Sequence, residues 1–194
     1  RLAVAIAEAQ RRKLRLPAMD KPLTFREFIV KVNLSYQFYP HVDRLIAILQ
    51  RVADGEIKRL MVFMPPRHGK SETVSRLFSA YYLLRHPERW VGLTSYAEGL
   101  AFTLSRNARN NYQQGGGALS QQAFAVSHWE TGRGGGMWAA GVGGGITGKG
   151  FHLGIIDDPL KDAEEAQSET VRDKIKDWYA STFSTRQEPG AAIV

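Results

Sequence analysis

The chain has 194 residues, 43% of them hydrophobic and 23% charged, with no cysteine, a formal net charge of +7 and a pI near 9.8. That length suits one large domain with a sizeable core, and the composition excludes a disordered chain, disulfide staples and thiolate metal sites. No apolar run approaches the roughly 18–20 residues of a membrane span, so no membrane partner and a cytoplasmic location are expected, while the basic excess, carried by residues 1–89, favours a polyanionic partner.

In chain order, residues 1–16 read as a helix rich in Ala and Leu that Pro17 stops, with Arg11, Arg12, Lys13 and Arg15 as either a DNA-contacting arm or a solvated face. Residues 17–22 connect it to a second helix over 24–32, where Thr24 followed by Glu27 has the form of a capping box. A third helix follows His41, with Leu45, Ile46, Leu49 and Val52 at helical spacing up to the Asp54-Gly55 break. These elements form an N-terminal helical region, 1–58. The remainder, 59–194, reads as a nucleotide-binding core.

That core opens on the short apolar run 60–64, the pattern of a buried parallel strand, and continues into a helix over 70–85 that His86-Pro87 ends. A strand over 90–95 completes a strand-helix-strand unit, so the fold class is α/β with a central, mostly parallel sheet flanked by helices. A helix over 97–112 and a flexible loop at Gly115, Gly116 and Gly117 follow. The glycine-dense stretch 132–150 is read as a β-hairpin with mobile turns, because apolar residues interleave with the glycines. A core strand over 151–156, a polar helix over 164–181 and the opening of another strand at 191–194 complete the pattern. The sheet looks cut short.

The chemistry concentrates at two places. Met64-Pro65-Pro66-Arg67-His68-Gly69-Lys70-Ser71 fits the phosphate-loop pattern except that Met64 replaces its first glycine, and it lies between a strand and a helix, where such a loop must sit. Its backbone N–H groups and the positive helix end would cradle the phosphates of ATP, Gly69 allowing close approach. Lys70 would reach the β- and γ-phosphates and the Ser71 hydroxyl would ligate Mg²⁺. Pro66, Arg67, His68 and Glu72 complete the candidate nucleotide-contacting set. Arg67 reads as an arginine finger on the γ-phosphate, a surface arginine or a DNA contact. The second place is Leu153-Gly154-Ile155-Ile156-Asp157-Asp158, an apolar strand ending in acid. Asp157 would hold Mg²⁺, and Asp158 would act as general base on the attacking water, with Glu164 or Glu165 as alternatives that serve equally as acidic helix-start residues. The span between the motifs leaves room for an intervening strand and helix. A strand inserted between the two motif strands marks an additional-strand, RecA-like P-loop NTPase.

With these residues in place, the chain resembles the ATPase domain of tailed-phage large terminases. The resemblance rests on Pro65-Pro66-Arg67-His68-Gly69-Lys70-Ser71-Glu72, on Thr94-Ser95-Tyr96-Ala97, on Gly144-Gly145-Ile146-Thr147-Gly148 running into Ile155-Ile156-Asp157-Asp158-Pro159, and on Ser168, Trp178, Ser184-Thr185-Arg186 and Pro189-Gly190. In that family the first motif often lacks the opening glycine and carries an arginine, which accounts for Met64 and Arg67. The resemblance implies a homo-oligomeric ring, a pentamer, at the capsid portal in the host cytoplasm. It also implies ATP-driven translocation of double-stranded DNA, the portal protein and the small terminase subunit as partners, and a separate C-terminal nuclease domain. It places Tyr36, Gln37 and His41 where such motors contact adenine. A helicase-like or DNA-repair ATPase, or a nucleotide- and DNA-binding module without turnover, would share the same two motifs.

Overall fold

A computed structural model describes residues 22–146, 148 and 150–194; the helix expected over 1–16, its basic cluster and most of the connector 17–22 lie outside the described residues. The expected capping box forms: the Thr24 hydroxyl accepts from the Glu27 N–H at 3.2 Å, the Glu27 carboxylate accepts from the Thr24 N–H at 2.7 Å, and helix α1 (Phe25–Val32) starts there. Helix α2 (Pro40–Ala53) has proline at its first position and ends at Asp54-Gly55. Both helices bury one apolar stripe against the next helix, so that Phe25, Phe28, Leu45 and Leu49 share a cluster with Val74, Leu77 and Phe78.

That next helix, α3, is helical from Lys70, as expected: after Lys70 and Ser71 it is wound as a π-helix (Glu72–Phe78) and then as an α-helix (Ser79–Arg85). Such windings often mark functional sites. Strand β1 (Trp90–Ser95) and helix α4 (Glu98–Gln114) follow as expected. Gly115 then ends α4, its N–H donating to the Asn111 carbonyl at 2.8 Å.

The glycine-dense stretch departs in part from expectation. Met137 to Ala140 belong to β4 (Gly136–Gly141), a fully buried strand that runs parallel to β1 in the middle of the sheet and closes a hairpin with the strand before it, not with a later segment of the glycine stretch. Its antiparallel partner lies upstream: β2 (Leu119–Ala125) and β3 (His128–Thr131), which the sequence pattern did not reveal, form an antiparallel extension. The glycines serve packing here. A Cβ on Gly136 would fall 2.3 Å from the Trp129 carbonyl oxygen.

Strand β5 (Phe151–Asp157) pairs in parallel with β1 and with β6 (Gln187–Ile193), giving a six-stranded sheet in the order β2-β3-β4-β1-β5-β6. Side chains alternate across it, Met137 and Ala139 toward α3 and α4, Trp138 and Ala140 toward a second cluster with Phe151, Trp178 and Phe183. The polar helix expected over 164–181 is broken. Ser168 ends α5 (Ala163–Gln167) and caps α6 (Glu169–Trp178) by accepting from the Val171 N–H, before a π-turn (Tyr179–Phe183) leads into β6.

The run 60–64 is extended but carries no ladder of its own. Arg59 makes one parallel bridge to Ile193, supported by the Leu60 N–H donating to the Ile193 carbonyl at 3.0 Å. Beyond it Leu60, Val62 and Met64 pack inward while Met61 and Phe63 are 82% and 86% exposed, so the run alternates where full burial was expected. The cause is position: the segment lies on the outer edge of β6, which ends at Ile193. β6, downstream of Asp157 in sequence, therefore stands between this extended segment and β5.

Candidate functional site

Parallel strands deliver their carboxyl ends to one edge of a sheet, and there the two sequence motifs meet. β5 ends in Asp157, buried to 5% exposure, and loop 64–71 crosses above it to enter α3. The Ser71 hydroxyl donates to Asp157 Oδ1 at 3.1 Å, and the Ser75 hydroxyl, one turn further along α3, donates to Oδ2 at 2.9 Å. Both carboxylate oxygens are thereby fixed. The Lys70 ammonium lies 3.5 Å from Asp157 Oδ1 and pairs directly with the more exposed Asp158. The Asp158 backbone is held by its carbonyl, which accepts from the Tyr96 N–H at 3.1 Å.

The loop itself is shaped by conformation. Gly69 sits at φ 86°, and Arg67 at 63°, left-handed values that only glycine adopts without strain. The Gly69 carbonyl accepts twice from Thr73, from its N–H at 2.9 Å and from its hydroxyl at 2.7 Å. The Pro66 carbonyl accepts from His68 Nδ1 at 2.8 Å. The His68 ring lies 5.7 Å from His41, which is stacked on Tyr39. The Tyr36 hydroxyl reaches Thr73 Oγ1 at 2.5 Å, and burial pushes its pKa above the ordinary range.

Of the residues singled out from sequence, Lys70, Ser71, Asp157 and Asp158 converge, with Gly69 and Arg67 shaping the approach. Glu72 turns aside to pair with Arg76 on the next turn of α3. Gln37 is exposed, its amide donating to the Ser35 carbonyl at 3.1 Å and not to the loop. Glu165 accepts from the Lys161 N–H, and neither it nor Glu164 lines the cavity of about 1030 Å³ that opens beside Lys70, Asp157 and Asp158. Sequence reasoning missed Ser75 and Thr73, and it singled out Tyr36 for adenine contact rather than for its hydrogen bond to Thr73. Ser75 had a signal, since four residues from Ser71 is one helical turn.

A family model described as the terminase large subunit, T4likevirus-type, N-terminal, matches residues 61–193, well over half of the chain. The chain belongs to that family. No curated protein matches it. For a terminase large subunit N-terminal region, the matched stretch runs from the edge segment through loop 64–71 and β5 to the end of β6, so Lys70, Ser71, Asp157 and Asp158 all lie inside it. Membership carries a role in phage DNA packaging, and with it an interaction with DNA. Tyr36, Gln37 and His41 precede the match. Among the described residues no helix is long and apolar enough to cross a membrane.

Proposed function

We propose that this chain is the ATP-hydrolysing motor domain of its terminase, a P-loop NTPase of the additional-strand class that couples hydrolysis to the movement of double-stranded DNA into the procapsid. The observation that carries the reading is the convergence of the Lys70 ammonium and the Ser71 hydroxyl on the Asp157-Asp158 pair at the carboxyl end of β5. The placement of β6 between β5 and the strand entering the loop supports the fold assignment.

The donor set fits Mg²⁺, a hard cation that takes one or two protein oxygens and otherwise water and phosphate: Ser71 and Asp157 present a hydroxyl and a carboxylate oxygen 3.1 Å apart. When bound, Mg²⁺ would neutralise charge on the β- and γ-phosphates. Everything else falls to side chains of this chain. Lys70, now paired with Asp158, exchanges that carboxylate for phosphate oxygens when nucleotide enters. The exchange leaves Asp158, 59% exposed, free to accept a proton. Water oxygen then bonds to the γ-phosphorus as the bond to the ADP oxygen breaks, and the water proton passes to Asp158. Arg67 stands in the same loop to meet charge on the transferred group, in its own subunit or a neighbour's.

Phosphate release measured with MgATP and double-stranded DNA tests the reading. Wild type turns over, Lys70→Ala falls to the background rate, and Asp158→Asn binds ATP without hydrolysing it. Undiminished turnover by Lys70→Ala would overturn the site. Absence of turnover by wild type, even with portal-bearing procapsids, would leave a nucleotide-binding module in place of a motor.

A further inference from the structure

We propose that Tyr36 is a positioning residue for the phosphate loop, acting through the Thr73 hydroxyl on the Gly69 carbonyl; the inference rests on the nucleotide reading above. It gives the N-terminal helical layer, which lies outside the family match, a part in nucleotide binding.

Hydrogen-bond bookkeeping fixes the direction of the chain. A threonine hydroxyl has one proton, and a carbonyl oxygen can only accept. Thr73 Oγ1 lies 2.7 Å from the Gly69 oxygen, so its proton is committed there. At 2.5 Å from that same Oγ1, the Tyr36 hydroxyl must then be the donor. The relay reads Tyr36 O–H to Thr73 Oγ1 to Gly69 C=O, and each bond polarises the next. Burial raises the pKa of a phenol that ordinarily titrates only near 10, so the donor persists at physiological pH.

Planarity makes the Gly69 carbonyl matter. In a trans peptide the C=O of one residue and the N–H of the next point in opposite directions in one rigid plane. Holding the Gly69 carbonyl down toward Thr73 therefore aims the Lys70 N–H the other way, into the loop where phosphate would lie. Gly69, at φ 86°, has a permissive backbone that would otherwise let this plane rotate. The rest of the layer braces the relay. The Tyr36 ring meets Phe38 edge-on at 5.1 Å, and the Tyr36 N–H donates to the Asn33 carbonyl at 3.1 Å. Tyr36 itself need not touch nucleotide.

The test is a double-mutant cycle on the affinity of a fluorescent ATP analogue, with thermal melting of every variant alongside. Tyr36→Phe keeps the ring and removes the donor, and it should weaken binding roughly fivefold, as loss of one such hydrogen bond does. Thr73→Val should weaken it at least as much, Thr73→Ser should bind like wild type, and Tyr36→Phe should add nothing in the Thr73→Val background. Unchanged affinity in folded Tyr36→Phe overturns the inference while the nucleotide reading stands. Full additivity of the two losses also overturns it, because Tyr36 would then act on nucleotide directly. If Tyr36→Phe melts too low to be measured, Thr73→Ser against Thr73→Val decides: equal affinities sink the relay. Wild type that binds the analogue no better than Lys70→Ala removes the nucleotide reading and the inference with it.

Discussion

Arg67 at φ 63° and Asp158 at φ 47° are the non-glycine residues in the left-handed region among the described residues, one in loop 64–71 and the other next to Asp157. Holding a branched-free but bulky L-residue there costs about 1–2 kcal/mol, and such strain gathers where function fixes a side chain. Arg67→Gly should therefore raise stability by about 1 kcal/mol, a rise of about 2–4 °C in melting temperature for a chain of this size. Its turnover should fall by roughly three orders of magnitude if the guanidinium meets phosphate charge. A melting temperature that stays put or drops would show that the loop bears no strain at Arg67. Lys70, Ser71 and Asp157 were legible in the sequence because their motif is local and the strand and helix around it are strongly patterned. The link from Tyr36 to Thr73 was not, because a relay joining residues 37 positions apart exists only once the connection between α1 and α2 has packed on α3.

At the scale of elements, the glycines inside the strands have a packing cause. Gly92 sits in register between Trp138 on β4 and Gly154 on β5. A Cβ on Gly92 would fall 2.3 Å from Trp138 Cζ2, and one on Gly154 would fall 2.7 Å from the Phe151 ring. The indole cannot step aside, since it is 1% exposed and its Nε1 donates to the Gly150 carbonyl at 2.9 Å. Glycine in these strands makes room for aromatic rings lying across the sheet. Gly92→Ala should consequently destabilise the fold by about 1–3 kcal/mol, read as a lower melting temperature with an unchanged nucleotide site. A neutral result would mean that Trp138 has somewhere else to go. Propensity alone reads such residues as turns, which places the partner of β4 inside the glycine stretch, and β2, with its run of polar Ser120, Gln121 and Gln122, gave no alternation to detect.

The whole molecule joins its layers through two histidines held neutral by burial, which lowers the pKa of each. His86 Nε2 donates to the Ala53 carbonyl at 3.3 Å, tying the end of α2 to the turn after α3. His152 Nδ1 accepts from the Trp90 N–H at 3.2 Å, tying β5 to the start of β1, and it can do so only while unprotonated. Arg89 adds repulsion at both. Unfolding releases the two imidazoles to bind protons at their ordinary value of about 6.5, so the unfolded chain takes up more protons than the native one as pH falls. The stability these neutral histidines contribute is complete above that value and is lost as pH drops through it toward their lower native values. Melting temperature should therefore hold level from about pH 8 to 7 and decline between about pH 6.5 and 5, before the carboxylates add their own loss. His152→Asn offers an amide oxygen to the same N–H without titrating, so its profile should be flatter across that window than the wild-type profile. Identical slopes for the two proteins would assign the acid sensitivity elsewhere, to His86 or to the carboxylates.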